Sequence, residues 1–191
     1  GLRDYSNSNK VKSLISDKEE MQVLNEKVLT FNINGVSFEM VRIDSGSFVM
    51  GATSDMEETE EELEECGYIV QSIYEKPIHK VTLCNYYIGR TVVTQKLWTA
   101  IMGANPSKFR GANKPVENIS WSDCLVFISK LNALTGKVFR LPTEAEWEFA
   151  ARGGNLSRHY RYSGSDTLAN VAWCDITSEY DTTSDVAKKQ P

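Results

Sequence analysis

The stretch from Pro142 to Gly154 fixes the place of one short helix more tightly than any other part of the chain. Thr143-Glu144-Ala145-Glu146 is a capping box, in which the side chains of Thr143 and Glu146 each bond the backbone of the other residue. Pro142 suits an extended entry into the cap, and Gly153-Gly154 supplies the stop. The sequence therefore predicts a helix that begins after Thr143 and ends before Gly153.

Two further helices carry start and stop signals. Thr94 is placed to cap a helix over 95–102, and Gly103 follows its end. Ser120 and Gly136 bound the next helix in the same way. The predicted inward faces of these two helices carry Leu97, Trp98 and Ile101, then Cys124, Phe127, Ile128 and Leu131.

The strands are predicted from the spacing of apolar residues before the helices, which has the period of two that is typical of a strand. Alternating apolar residues over 28–31 and 36–41 flank Asn34-Gly35, the signature of a two-residue hairpin turn. Further short strands are expected at 47–50, 79–83 and 86–89, and irregular, turn-rich structure is expected after Gly154. The fold class is therefore α+β, with antiparallel hairpins, short helices and long loops.

Length and charge limit the domain organisation and the partners. With 191 residues, one domain is the default, and we expect a leader with a loose helix over 1–27 followed by the domain over 28–191. A net charge of −5 at pH 7 argues against nucleic acid as a partner. No apolar run approaches the roughly 18 residues of a membrane span. The acidic segment 54–76 suits a solvated helix or loop, with a cation or a basic partner as the alternative.

Few side chains point to chemistry on their own. The four cysteines lie far apart in the sequence; they are Cys66, Cys84, Cys124 and Cys174. A zinc site needs close pairs of soft ligands, so this spacing does not support one. Two alternatives stay open, disulfide bonds or buried free thiols. His79 and His159 lack a carboxylate at a fixed spacing, so a structural or exposed role is favoured over general-base catalysis.

Two other groups resemble sites but favour structural roles. Glu144 and Glu148 share a helix face that Glu146 does not, so capping and pairing with Arg140 or Arg152 is the favoured interpretation. Trp98, Trp121 and Trp147 lie in or beside capped helices and are expected in the core, whereas Trp173 is the candidate for a surface or cleft position.

An ordered set of motifs carries a family resemblance. The segments are FEMVRI and GSFVMG (38–43, 46–51), PIHKVTL (77–83), YIGR with VTQ and Trp98 (87–98), MGANPS (102–107), PVENISW (115–121) and FRLPTEAEWE (139–148). Together they resemble the formylglycine-generating-enzyme or sulfatase-modifying-factor family over about 36–191. This resemblance implies a variant of the C-type-lectin fold.

The same resemblance implies an activity that this sequence does not carry in full. Active members oxidise a sulfatase cysteine to formylglycine with molecular oxygen and copper held by two cysteines, since thiolates are soft ligands for Cu(I). Those cysteines follow a GNVWEW-like motif, and these 191 residues end before it. No catalytic or cofactor-binding residue is therefore assigned, copper is expected only with a further C-terminal segment, and another segment or chain is expected to complete the fold.

The family also holds structural calcium. Asn170 and Val171 resemble the stretch in which an Asn side chain and the next backbone carbonyl are ligands, and oxygen ligands suit Ca²⁺. A carboxylate partner is not matched, although Asp175, Glu179 and Asp181 are nearby. The alternative is that Asn170 only bridges loop backbone, which is the favoured interpretation.

Three functions follow from these observations. The favoured hypothesis is a non-catalytic binding or structural module with a protein or peptide partner, expected in a bacterial periplasm or at a cell surface, because a shared scaffold is not a shared activity. The alternative is part of a copper-dependent formylglycine-generating oxidase. The third is a lectin-type module that displays ligand-binding loops around Trp173.

Overall fold

A computed structural model describes residues 26–51, 76–174 and 182–190. Several of the sequence predictions therefore lie outside the described residues. These are nearly all of the leader, the acidic segment apart from its last residue, Cys66, and the three carboxylates Asp175, Glu179 and Asp181.

The predicted hairpin is confirmed. Strand β1 (Val28–Ile33) pairs antiparallel with β2 (Val36–Ile43), and the register places Ile33 opposite Val36. The two linking residues have positive φ, 50° at Asn34 and 83° at Gly35. Only residues that tolerate this conformation make a two-residue turn of the type that matches strand twist. The Asn-Gly pair therefore sets the register of the whole hairpin.

The remaining predicted strands are also confirmed. Strand β5 (Tyr86–Gly89) pairs antiparallel with β2, so the first sheet has the order β1-β2-β5. Strands β3 (Gly46–Met50) and β4 (His79–Leu83) form a separate antiparallel pair. Both sheets combine strands from before and after the segment 52–75.

Three helices begin and end at the predicted caps. They are α1 (Gln95–Met102), α2 (Trp121–Thr135) and α3 (Glu144–Ala151). The predicted capping box of Thr143 with Glu146 forms, and Ser120 and Asp123 make a second one. A 3₁₀ turn (Gly154–Leu156) and a four-residue helix, α4 (Leu168–Val171), follow in the part expected to be irregular. Among the described residues, two short helical turns therefore lie where no regular helix was predicted.

The main core lies between the first sheet and helices α1 and α2. Its buried members are Ile33, Leu97, Trp98, Ile101, Phe127 and Leu131. The Trp98 and Phe127 rings stack with centroids 5.0 Å apart and planes 2° apart. A second contact joins α3 to β3, where Phe149 packs on Phe48 with centroids 5.2 Å apart. The helices therefore divide between the two sheets.

Two of the tryptophan predictions were wrong. Trp98 is 4% exposed, but Trp121 and Trp147 are 68% and 61% exposed. On α3 the buried positions are Glu146 and Phe149, so Trp147 lies on another side of the helix. Trp121 is the first residue of α2, outside the side that carries Phe127. Position in a capped helix does not by itself place a tryptophan in the core.

Candidate functional site

The FRLPTEAEWE segment is organised around one carboxylate. The Arg140 guanidinium donates to both oxygens of Glu146, with distances of 2.6 and 2.5 Å. The backbone N–H of Thr143 donates to the same carboxylate over 2.8 Å. Glu146 is only 8% exposed. These bonds, led by those from Arg140, lower the pKa of Glu146 to about 2, so it stays ionised inside the domain.

A tyrosine on the first sheet reaches the same helix. The Tyr86 hydroxyl donates to the backbone carbonyl of Glu146 over 2.6 Å. Burial, together with the neighbouring Glu146 charge, raises the pKa of Tyr86 to about 12. Tyr86 is therefore a neutral hydrogen-bond donor at physiological pH, and its bond ties β5 to α3.

The next glutamate of the motif holds the end of β3. The Glu148 carboxylate accepts from the Gly51 N–H over 3.0 Å and pairs with Arg152 at 2.7 Å. Arg152 in turn donates to the Gly51 carbonyl over 2.8 Å. Glu144 is exposed. The prediction of capping and pairing is confirmed for Glu146, which caps Thr143 and pairs with Arg140, and for Glu148, which pairs with Arg152.

A second polar centre surrounds Gln95, which is 1% exposed. Its amide nitrogen donates to the carbonyls of Phe109 and Pro115, over 2.8 and 3.0 Å. Its oxygen accepts from the Asn105 side chain and the Gly111 N–H, over 2.8 and 3.1 Å. All four positions of the amide are thus used within the protein. A shallow depression of about 410 Å³ opens beside it, lined by Gln95, Lys96, Thr99, Ala100, Asn105, Gly111 and Ala112.

Sequence reasoning missed this centre because nothing in the local pattern marks Gln95 as buried. A glutamine at the first position of a helix is usually solvated. The only signal is its place two residues before Leu97 and three before Trp98, the buried residues that fix the orientation of the helix. The hydrogen bonds of Gln95 hold the loop after α1 in place.

The remaining polar candidates lie apart from these centres. His79 Nδ1 contacts the Pro77 carbonyl at 3.1 Å, and His159 is exposed with φ of 56°. Cys84 is exposed after β4, while Cys124 is half-buried in α2. In the part of the chain that the structure describes, no group of three His, Cys, Asp or Glu side chains is placed to hold a metal ion.

The predicted calcium ligands lie in α4. Asn170 is exposed and Val171 is half-buried. The backbone of Asn170 makes the bridge to other segments, since its carbonyl accepts from the Gln190 N–H over 3.2 Å. The neighbouring Ala169 carbonyl accepts from the Lys189 ammonium. Calcium binding at Asn170 and Val171 stays a prediction, because the three carboxylates named for it, Asp175, Glu179 and Asp181, fall outside the described residues.

The family profile of the sulfatase-modifying factor enzyme 1-like domain matches residues 31–191. The chain belongs to this family. The sulfatase-modifying factor domain thus covers all the strands, helices and polar centres above except the first residues of β1. The expected fold, a C-type-lectin-like variant of the α+β class, is confirmed by solved structures of similar shape.

Two sequence relatives of this sulfatase-modifying factor domain carry different names. "Chaperone protein LppX" of Paenibacillus barcinonensis is 34% identical, over 49% of this chain and 45% of that protein. The formylglycine-generating enzyme of Streptomyces coelicolor is 38% identical, over 41% of this chain and 26% of that enzyme. The chain spans less than half the length of these curated relatives, so their activities are not transferred by the match.

Two solved structures share the fold. Treponema denticola variable protein 1 superposes with a TM-score of 0.68 at 28% identity, over 87% of this chain and 71% of that one. PvdO from Pseudomonas aeruginosa gives a TM-score of 0.60 at 22% identity, over 85% and 67% of the two chains. A search of the described helices finds none that is long and apolar enough to cross a membrane.

Proposed function

We propose that this sulfatase-modifying factor domain is a non-catalytic binding or structural module that contacts a protein or peptide partner. The observation that carries the proposal concerns the signature segment FRLPTEAEWE (139–148), in which charged side chains bond to other groups of the domain. The side chains of Arg140, Glu146 and Glu148 are all engaged in bonds that join α3 to neighbouring segments. The signature is thus a scaffold element, and a scaffold serves many functions.

Exposed aromatic side chains support a partner of this kind. Trp121 lies one helical turn from Leu125, which is 41% exposed, and Trp147 stands out from α3. Tryptophan is enriched among the residues that dominate binding energy in protein interfaces. One relative is named a chaperone protein, which fits contact with polypeptides. A bacterial cell-envelope setting stays a prediction.

The test uses the full-length protein and a purified client. Light scattering of a heat-denatured model enzyme is recorded with the wild-type protein, with Trp121→Ala and with Trp147→Ala. We expect the wild type to suppress aggregation and at least one variant to lose most of this effect without a change in melting temperature. Val138→Ala is the matched control, because Val138 is exposed but not aromatic. No suppression by the wild-type protein would contradict a general polypeptide-binding function.

The second candidate is a copper-dependent formylglycine-generating oxidase. Its support is the match to the enzyme from Streptomyces coelicolor. The full-length protein is loaded with copper and incubated aerobically with a cysteine-containing sulfatase peptide and a thiol reductant. Mass spectrometry of the peptide decides the question. Conversion of the cysteine to an aldehyde would establish the oxidase and replace the non-catalytic proposal, whereas an unmodified peptide supports the binding module.

A further inference from the structure

A lysine holds the end of the described chain against α4. The Lys189 ammonium lies 4.0 Å from the centroid of the Trp173 ring and donates to the Ala169 carbonyl. The next residue donates its N–H to the Asn170 carbonyl over 3.2 Å. Two consecutive residues of the segment 182–190 therefore contact two consecutive carbonyls of α4.

The other end of this segment is fixed elsewhere. The Val186 N–H donates to the Asn113 carbonyl over 3.0 Å, and the Lys114 ammonium bonds the Thr182 hydroxyl over 3.0 Å. The Lys114 carbonyl accepts from the Gln95 N–H over 2.9 Å, at the start of α1. The segment 182–190 thus joins the loop between α1 and α2 to α4.

The position of Lys189 is one that attracts cations. Carbonyls in the last turn of a helix point the same way and carry partial negative charge, so a positive group there is favourable. The face of a tryptophan ring adds attraction for the same charge. The proposed calcium ligands, Asn170 and Val171, belong to the same four-residue helix. An ammonium that uses its Ala169 carbonyl repels a divalent cation placed on its neighbours.

We infer that Lys189 serves as the cation of this loop cluster and fastens the segment 182–190 to α4 in place of a divalent metal ion. In the described part of the chain, a positive side chain already uses the helix carbonyl next to the candidate calcium ligands, which disfavours a calcium ion on them. The Trp173 ring and the Ala169 carbonyl then form the binding site of the Lys189 ammonium group.

The first experiment needs no variant. The melting temperature of the full-length protein is measured with EGTA and with millimolar CaCl₂, and CaCl₂ binding is followed by titration calorimetry. We expect a difference in melting temperature of less than about 1 °C and no saturable heat. Stoichiometric Ca²⁺ binding that raises the melting temperature by several degrees, and that Asn170→Ala removes, would overturn the inference.

The second experiment tests the lysine itself. Lys189→Met keeps the length of the side chain but removes the charge, and we expect the melting temperature to fall by about 2–4 °C, with a shift in tryptophan emission from Trp173. Lys189→Arg, which keeps the charge, should stay near the wild type. Lys188→Met is the matched control, because Lys188 is exposed. Equal effects of the two Met variants, or loss of stability in Lys189→Arg as large as in Lys189→Met, would contradict a role for the positive charge.

Discussion

Arg140 and Glu146 form a two-point ion pair across the start of α3, with nitrogen–oxygen distances of 2.6 and 2.5 Å. Their exposure differs, since the side chain of Arg140 is 60% exposed and that of Glu146 is 10% exposed. The guanidinium therefore covers a carboxylate that already caps Thr143. One charged group joins the extended segment before the helix to its first turn.

Replacing this carboxylate should destabilise the domain. Glu146→Gln keeps the shape of the side chain but loses the charge that accepts from Arg140 and Thr143. Hydrogen bonds to charged groups contribute about 1.5–3 kcal/mol each, so we expect the free energy of unfolding to fall by about 2–3 kcal/mol. Urea denaturation measures the loss. Glu144→Gln, on an exposed residue of the same turn, should cost less than about 1 kcal/mol. Similar losses for both variants would contradict the role assigned to the pair.

The same carboxylate predicts a pH dependence of stability. Its pKa lies at about 2 in the folded protein, below the ordinary value of 4.5 that applies in the unfolded chain. A depressed folded pKa means that the unfolded state takes up the proton first. The contribution is therefore complete above about pH 4.5 and is lost as the pH falls towards 2. We expect the stability difference between wild type and Glu146→Gln to narrow over this range in urea titrations. A constant difference in stability between the two proteins from pH 7 to 2.5 would argue against a depressed pKa of Glu146.

Local signals account for the accuracy of the sequence predictions for strands and helices. The Asn34-Gly35 turn and the capping box of Thr143 with Glu146 depend on residues within a few positions of one another, so the sequence specifies them directly. Pairing of the α3 glutamates with Arg140 or Arg152 was also predicted, and it is seen for Glu146 and Glu148, whose partners lie within one or two turns of them.

The sequence did not predict contacts between residues far apart in the chain. The bond from Tyr86 to the Glu146 carbonyl joins residues 60 positions apart, and that from Arg152 to Gly51 spans 101. Nothing in the sequence predicts the contact between Lys189 and the Trp173 ring, because it depends on the path by which the segment 182–190 reaches α4. The tryptophan errors have the same origin. Burial of a large side chain is decided by what packs on its helix face, which local pattern does not contain.

The tryptophans offer a direct comparison of buried and exposed rings. Trp98 stacks on Phe127 in the core and is 4% exposed, so Trp98→Ala leaves a cavity. We expect a loss of about 3–5 kcal/mol in the free energy of unfolding. Trp147→Ala, at a position 61% exposed, should cost less than about 1 kcal/mol. Denaturant unfolding followed by circular dichroism measures both. A large loss at Trp147 would mean that another part of the protein covers that ring.

A single methyl group tests how closely α3 approaches β3. A Cβ added at Gly46 would lie 2.7 Å from Cζ of Phe149 and would also meet the Asn155 side chain. Neither neighbour moves easily, because Phe149 is 2% exposed and packed on Phe48, and Asn155 Nδ2 donates to the Ser45 carbonyl over 2.9 Å. We therefore expect Gly46→Ala to cost about 1–3 kcal/mol by overpacking.

Gly111→Ala is the matched control for Gly46→Ala. The added Cβ at Gly111 would come within 2.8 Å of the Lys114 side chain, a flexible chain that moves aside at the cost of its hydrogen bond to Thr182. We expect its cost to stay below that of Gly46→Ala, since a side chain on a loop rotates aside whereas a buried aromatic ring does not. Both values come from urea denaturation at neutral pH. If Gly46→Ala were as stable as the wild type, α3 and β3 would have room to separate, and the glycine would not be what permits their contact.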